Sequence, residues 1–119
     1  MSNSGLLSSE DLFFTTRILD TARALGFPMQ LLTQPEQIRS ALANPPLRLW
    51  ILDLDTSESL LELVSSLGES FPQVRVIAFG SHVETARLKA ARAAGCQLVV
   101  PRSKFTTDLV SYLEEAKST

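Results

Sequence analysis

The chain has 119 residues, 45% of them hydrophobic and 20% charged, with a formal net charge of −2. That is the length of one domain, 1–119, able to bury roughly two-thirds of its unfolded surface. A slightly acidic balance offers no general attraction to nucleic acid or to an anionic membrane.

The single cysteine, Cys96, excludes an internal disulfide and a cysteine-rich metal cluster, and it suits a reducing compartment. No apolar run approaches the ~18 residues that a bilayer span needs. Met1-Ser2-Asn3-Ser4 lacks the basic start of a signal peptide, so a cytoplasmic domain is expected.

In chain order, Gly5-Leu6-Leu7 reads as a brief strand ending at Ser8-Ser9. A helix is predicted from there to about Leu25, with Ser9 as its N-cap and Phe14, Ile18, Ala22 and Leu25 on one face. Gly26 stops it. Met29 to Leu32 is a weak second strand. Thr33-Gln34-Pro35-Glu36 then joins a capping-box spacing to an early proline and opens a helix to about Leu42. Asn44-Pro45-Pro46 is a turn.

Leu47-Arg48-Leu49-Trp50-Ile51-Leu52 is apolar almost without interruption, as a strand covered on both faces must be. It runs into Asp53, and a buried strand tolerates a charge only where it emerges. Asp53 therefore marks the carboxyl end of a central parallel strand, the edge at which open α/β sheets place their sites. Asp55-Thr56-Ser57-Glu58 supplies caps for a third helix ending near Gly68. Val74 to Phe79 is the fourth strand, ended by Gly80. Ser81-His82-Val83-Glu84 has capping-box spacing before an alanine-rich helix that closes at Gly95. Gln97 to Val100 is the fifth strand, halted by Pro101, and the last helix is expected from about Thr106 to Ala116. Five strands alternating with five helices predict an α/β fold, a flavodoxin-like (βα)5 open parallel sheet of order 2-1-3-4-5 with helices on both faces.

With Glu10 after the first strand, Asp53 after the third and Arg102 after the fifth, the chain resembles the receiver domains of two-component response regulators over nearly its whole length. The resemblance implies an acidic pair after strand one, a phosphoacceptor aspartate after strand three, a hydroxyl after strand four and a Lys-Pro after strand five. In such domains the carboxylates hold Mg²⁺, which neutralises charge on the transferring phosphoryl group, and the hydroxyl and ammonium grip its oxygens. Carried onto this sequence, Asp53 falls on the phosphoacceptor. Ser9 and Glu10 fall on the acidic pair, Gly80 (with Ser81 one residue on) on the hydroxyl, and Arg102 on the lysine. One carboxylate and the hydroxyl are missing, the lysine is altered, and the loop after Asp53 lacks the usual Met-Pro.

The expectation is a pseudo-receiver, a non-enzymatic signalling or protein-interaction module that needs no cofactor. In one reading Arg102 pairs permanently with Asp53 in the place of a phosphoryl group, since a guanidinium fork suits a carboxylate. In the other it extends to solvent and Asp53 only caps the strand. The alternative function is a working receiver phosphorylated on Asp53 in a phosphorelay, with Glu10, Asp53 and Asp55 holding Mg²⁺ weakly. A small-ligand domain using the same edge is a third option, and the absence of a glycine-rich first loop argues against nucleotides. His82 reads as a solvated or capping residue, no Ser/His/Asp triad is placed by the order of residues, and Cys96 reads as a small buried thiol.

A silent site moves function to a surface that binds a protein partner or a second copy, with no direct nucleic acid and no membrane. On the first helix Phe13 lies opposite Ile18 and faces out. On the fourth, Val83, Ala86, Ala90 and Ala93 are expected to be buried while Leu88, Lys89 and Arg92 face out. Together with Arg102 and Lys104 these resemble the dimerisation or output face of response regulators.

Overall fold

The stretch that reads as covered on both faces lies at the centre of the sheet. In the computed structural model, which describes residues 3–119, strand β3 (Leu47–Asp53) runs parallel to β1 (Ser4–Ser8) on one side and β4 (Arg75–Gly80) on the other. Strands β2 (Met29–Leu31) and β5 (Leu98–Pro101) form the edges, giving the expected order β2-β1-β3-β4-β5 with every pair parallel. Met1 and Ser2, on which part of the signal-peptide argument rests, lie outside the described residues. Among those described, no helix is long and apolar enough to cross a membrane.

Successive residues of β3 alternate between two cores, as the period of a strand requires. Leu49 and Ile51 point to one face, where Ile18 and Ala22 of α1 (Leu12–Ala24) and Phe105, Leu109 and Leu113 of α6 (Arg102–Ser118) cover them. Trp50 and Leu52 point to the other, beneath α2 (Pro35–Leu42), α4 (Leu61–Leu67) and α5 (Thr85–Ala94). Trp50 is fully buried, and its indole Nε1 donates to Ser8 Oγ at 2.9 Å while that hydroxyl donates to the Leu32 carbonyl at 2.7 Å. Phe79 stacks on Phe105 at 4.3 Å between centroids, with Phe14 and Tyr112 beyond them at either end.

Several local expectations are corrected. The first helix is capped by Asp11, which accepts from the Phe14 N–H at 3.1 Å, and not by Ser9. Neither capping-box spacing forms a box: α2 is preceded by Gln34 and α5 by Glu84, each without a side-chain cap bond. The third helix is broken into one turn, α3 (Leu54–Ser57), then a 3₁₀ turn over Glu58–Leu60, then α4. Ser57 leaves the helical region at φ −133° and ψ 32°, in a run of Asp, Thr and Ser whose side chains compete with helical hydrogen bonds. Helix α6 begins at Arg102, because Phe105, Leu109, Tyr112, Leu113 and Ala116 make one buried stripe whose first member needs a turn of helix before it.

The buried face of α5 is also turned from the expected one. Leu88 and Ala91 are buried, whereas Val83 and Ala86, Ala90 and Ala93 are exposed. An alanine-rich helix has little to fix its rotation except its one leucine, which goes inside. Leu88 is thereby removed from the surface patch. Truncating Phe105 to alanine removes the base of the aromatic stack, and a loss of roughly 3–5 kcal/mol in a urea unfolding curve is expected.

Candidate functional site at the carboxyl edge of the sheet

Asp53 is the last residue of β3, and its side chain is wholly buried. A carboxyl group out of water needs donors at its oxygens, and the chain brings three. Ser9 Oγ donates to Oδ2 at 2.7 Å and Thr56 Oγ1 donates to the same oxygen at 3.1 Å. The Asp55 N–H donates to Oδ1 at 3.0 Å, so Asp53 also caps α3. The two hydroxyls are held in turn by backbone donors, Asp11 N–H on Ser9 Oγ and Glu10 N–H on Thr56 Oγ1. The reading of Asp53 as an end-of-strand cap matches this geometry.

Arg102 does not reach Asp53. It pairs with Asp55, two residues further, through Nη2 and Oδ2. Arg87 of α5 donates to Asp55 Oδ1 at 3.2 Å, and the Ser81 N–H donates to that oxygen at 3.1 Å. Arg87 also bridges to Glu58 at 3.3 Å. The guanidinium of Arg102 lies 4.9 Å from the centroid of the Phe14 ring, a cation–π distance. The expected Arg102–Asp53 pair, and equally an Arg102 free in solvent, are corrected to this Asp55 cluster. The reason is where each carboxylate emerges: Asp53 is enclosed by its hydroxyl donors, while Asp55 faces the loops after β4 and β5.

Glu10 contributes its backbone to Thr56, and its side chain is exposed. Glu10, Asp53 and Asp55 do not form a metal-binding group, and among the described residues no three His, Cys, Asp or Glu side chains do. Gly80 leaves the hydroxyl position bare, and a Cβ built there would stand 3.3 Å from Leu54 Cβ and 3.4 Å from Asp55 Oδ1. Thr56 and Arg87 are the site residues that the sequence reading passed over. Thr56 had a signal, a hydroxyl three residues after the strand-end aspartate; Arg87 had none beyond its place in the first turn of α5.

At the surface, Phe13 is 72% exposed and Leu12 81% exposed at the start of α1, and Val83 is 68% exposed in the loop before α5. All three rim the same edge of the sheet. Between them an open groove of about 460 Å³ is lined by Phe14, Ser81, His82, Arg102, Ser103 and Thr106. Lys89 and Arg92 are exposed, and Lys104 is exposed but paired with Asp108 at 2.8 Å, which holds its ammonium above the ordinary value. Cys96 is buried away from the site, and burial pushes its thiol up to about 11.

No protein-family model and no curated protein matches the sequence. Solved structures match the fold. A response regulator from Thermotoga maritima superposes with a TM-score of 0.75 at 15% identity, over 100% of both chains. The receiver domain of Saccharomyces cerevisiae Ssk1, crystallised with the histidine phosphotransfer signaling protein Ypd1, gives a TM-score of 0.74 at 11% identity, over 98% of this chain and 90% of the other. NtrX from Brucella abortus, in complex with ADP, gives 0.73 at 17% identity and covers 99% of this chain with 26% of its own. The chain has the response-regulator receiver fold.

Two measurements check the site. Asp53→Ala leaves the Ser9 and Thr56 hydroxyls and the Asp55 N–H without their acceptor, at a cost of about 1–3 kcal/mol per unsatisfied group, and Asp53→Asn loses less because its amide oxygen still accepts. Denaturant titration should rank the two in that order. Iodoacetamide at pH 8 should modify Cys96 on the order of 100-fold more slowly in the native chain than in urea, since a thiol raised from 9.0 to about 11 holds about 100-fold less thiolate.

Proposed function

We propose that this receiver-fold chain is a pseudo-receiver, a signalling and protein-interaction module whose aspartate is silent and whose output does not depend on phosphorylation. The observation that carries the reading is the state of Asp53. A phosphoacceptor must present an oxygen to its donor, and here both oxygens are engaged in a fully buried pocket. The catalytic helpers are depleted around it. Ser9 stands at one position of the acidic pair, Asp11 beside Glu10 is committed to capping α1, no side chain at position 80 can grip a phosphoryl oxygen, and the cation at the lysine position is committed to Asp55. In-line phosphoryl transfer relies on such positioned charges for nearly all of its rate. The module is accordingly not an enzyme and uses no cofactor, and it works in the cytoplasm.

Its partner is a protein, either a different chain or a second copy. The surface that best fits is the rim of the carboxyl edge, where Leu12, Phe13 and Val83 leave apolar area in water around the groove over Arg102. Lys89 and Arg92 add exposed positive charge along α5, while Lys104 is paired with Asp108. The Ssk1 receiver, with the same fold, has been crystallised with a phosphotransfer protein, which supports a protein as the class of ligand.

The retained aspartate at the end of β3 favours a second reading, a receiver phosphorylated on Asp53 with Mg²⁺. Incubation with acetyl phosphate and Mg²⁺ separates the two. The pseudo-receiver should show no mass gain of one phosphoryl group by intact-protein mass spectrometry, and no hydroxylamine-sensitive label on the peptide containing Asp53. A stoichiometric, hydroxylamine-labile adduct establishes the second reading.

A further inference from the structure

The most densely held charge at the sheet edge belongs to Asp55. Its side chain is 15% exposed and accepts from the Ser81 N–H at 3.1 Å, from Arg87 at 3.2 Å and from Arg102 on its other oxygen. Those donors come from the loop after β4, from α5 and from the first residue of α6. In the receiver pattern, the loops after β4 and β5 supply the hydroxyl and the cation that grip a phosphoryl group. Here they meet on a carboxylate of the chain itself.

Gly80 belongs to the same arrangement. A Cβ at the hydroxyl position would approach Asp55 Oδ1 to 3.4 Å and Leu54 Cβ to 3.3 Å, and the rest of a serine or threonine would have to displace one of them or turn away. The bare position lets the carboxylate come against the β4–α5 loop, where it finds the Ser81 N–H. Arg102 is fixed from a second side by the Phe14 ring at 4.9 Å. The glycine, the arginine and the aspartate two residues past the strand are therefore one device, and charge-assisted hydrogen bonds in a site mostly withdrawn from water resist screening.

We infer that the Asp55 carboxylate is an internal stand-in for a phosphoryl group, holding the loops after β4 and β5 in place as a bound oxyanion would. This rests on the reading of Asp53 as silent, and it adds how the module is kept in one state: the anion that a receiver acquires by modification is encoded here two residues away. The loops are closed on Asp55 at all times, and an external oxyanion finds the position filled.

The test uses the full chain without phosphodonor or magnesium, so its result does not depend on whether Asp53 reacts. Hydrogen exchange and the Arg102 Nε–H resonance are followed by NMR in wild type and in Asp55→Ala while inorganic phosphate is titrated. In Asp55→Ala the Ser81 amide should exchange about tenfold faster, the effect of losing one hydrogen bond to a charged acceptor. Millimolar phosphate should restore its protection and shift Arg102 Nε–H in the variant, with wild type unmoved. If Asp55→Ala does not fold, Asp55→Ser likewise removes the carboxylate and leaves the position open, and the same phosphate-dependent shift is expected in it. Wild-type protection of Ser81 in Asp55→Ala, or phosphate shifts equal in variant and wild type, or absent from both, overturns the inference. An Asp53 that takes label while Asp55→Ala responds as expected removes the silent-site reading alone. A silent Asp53 with an unresponsive Asp55→Ala removes the internal anion alone.

Discussion

A carboxyl group with no contact with water is the constraint on which this sheet edge depends. Removing Asp53 from solvent costs several kcal/mol unless its oxygens are met by donors, and the donors must come from neighbouring loops. Ser9 brings the segment after β1 to it, and Thr56 and the Asp55 N–H bring the first turn after β3. The same hydroxyls are tied to the Glu10 and Asp11 N–H groups, which fixes the entry into α1. The last residue of β3 is thus also the cap of α3.

Just outside that closed pocket the charges are arranged differently. Asp55 draws arginines from α5 and α6 towards the centre of the edge, and one of them lies against Phe14, from which the aromatic set continues through Phe79 and Phe105 to Tyr112. The guanidinium thus joins a polar rim to the apolar layer between the sheet and α6. Neutral hydroxyl donors serve the inner carboxyl group and cations serve the outer one, a division that follows their burial. A hydroxyl is cheaper to bury than a guanidinium.

The sheet and the role of β3 were legible in the sequence because alternation and strand-end charge are local signals with a direct physical cause. Asp53 could be placed at the carboxyl edge for the same reason. The partner of Arg102 could not: Asp53 and Asp55 are both within reach of the loop after β5, and only the direction in which each side chain leaves the backbone separates them. Helix α5 was read with the wrong face inward because alanines recur on every side of it, and the face that packs is the one carrying its single large apolar side chain, Leu88, with Ala91 beside it. The start of α6 was hidden by Pro101, which reads as a stop although it also suits the residue before a helix. Resemblance to receivers located the altered positions, Gly80 and Arg102, and gave no hint that they meet at Asp55.

The sheet's two margins have a further consequence. Strand β2 has three residues, and β5 has four and closes on Pro101, which has no N–H to donate. Neither margin offers a long ladder on which a foreign strand could grow. Crowding should therefore leave the protein free of fibrillar stacking, and any lasting association must be built from side chains on helices and loops.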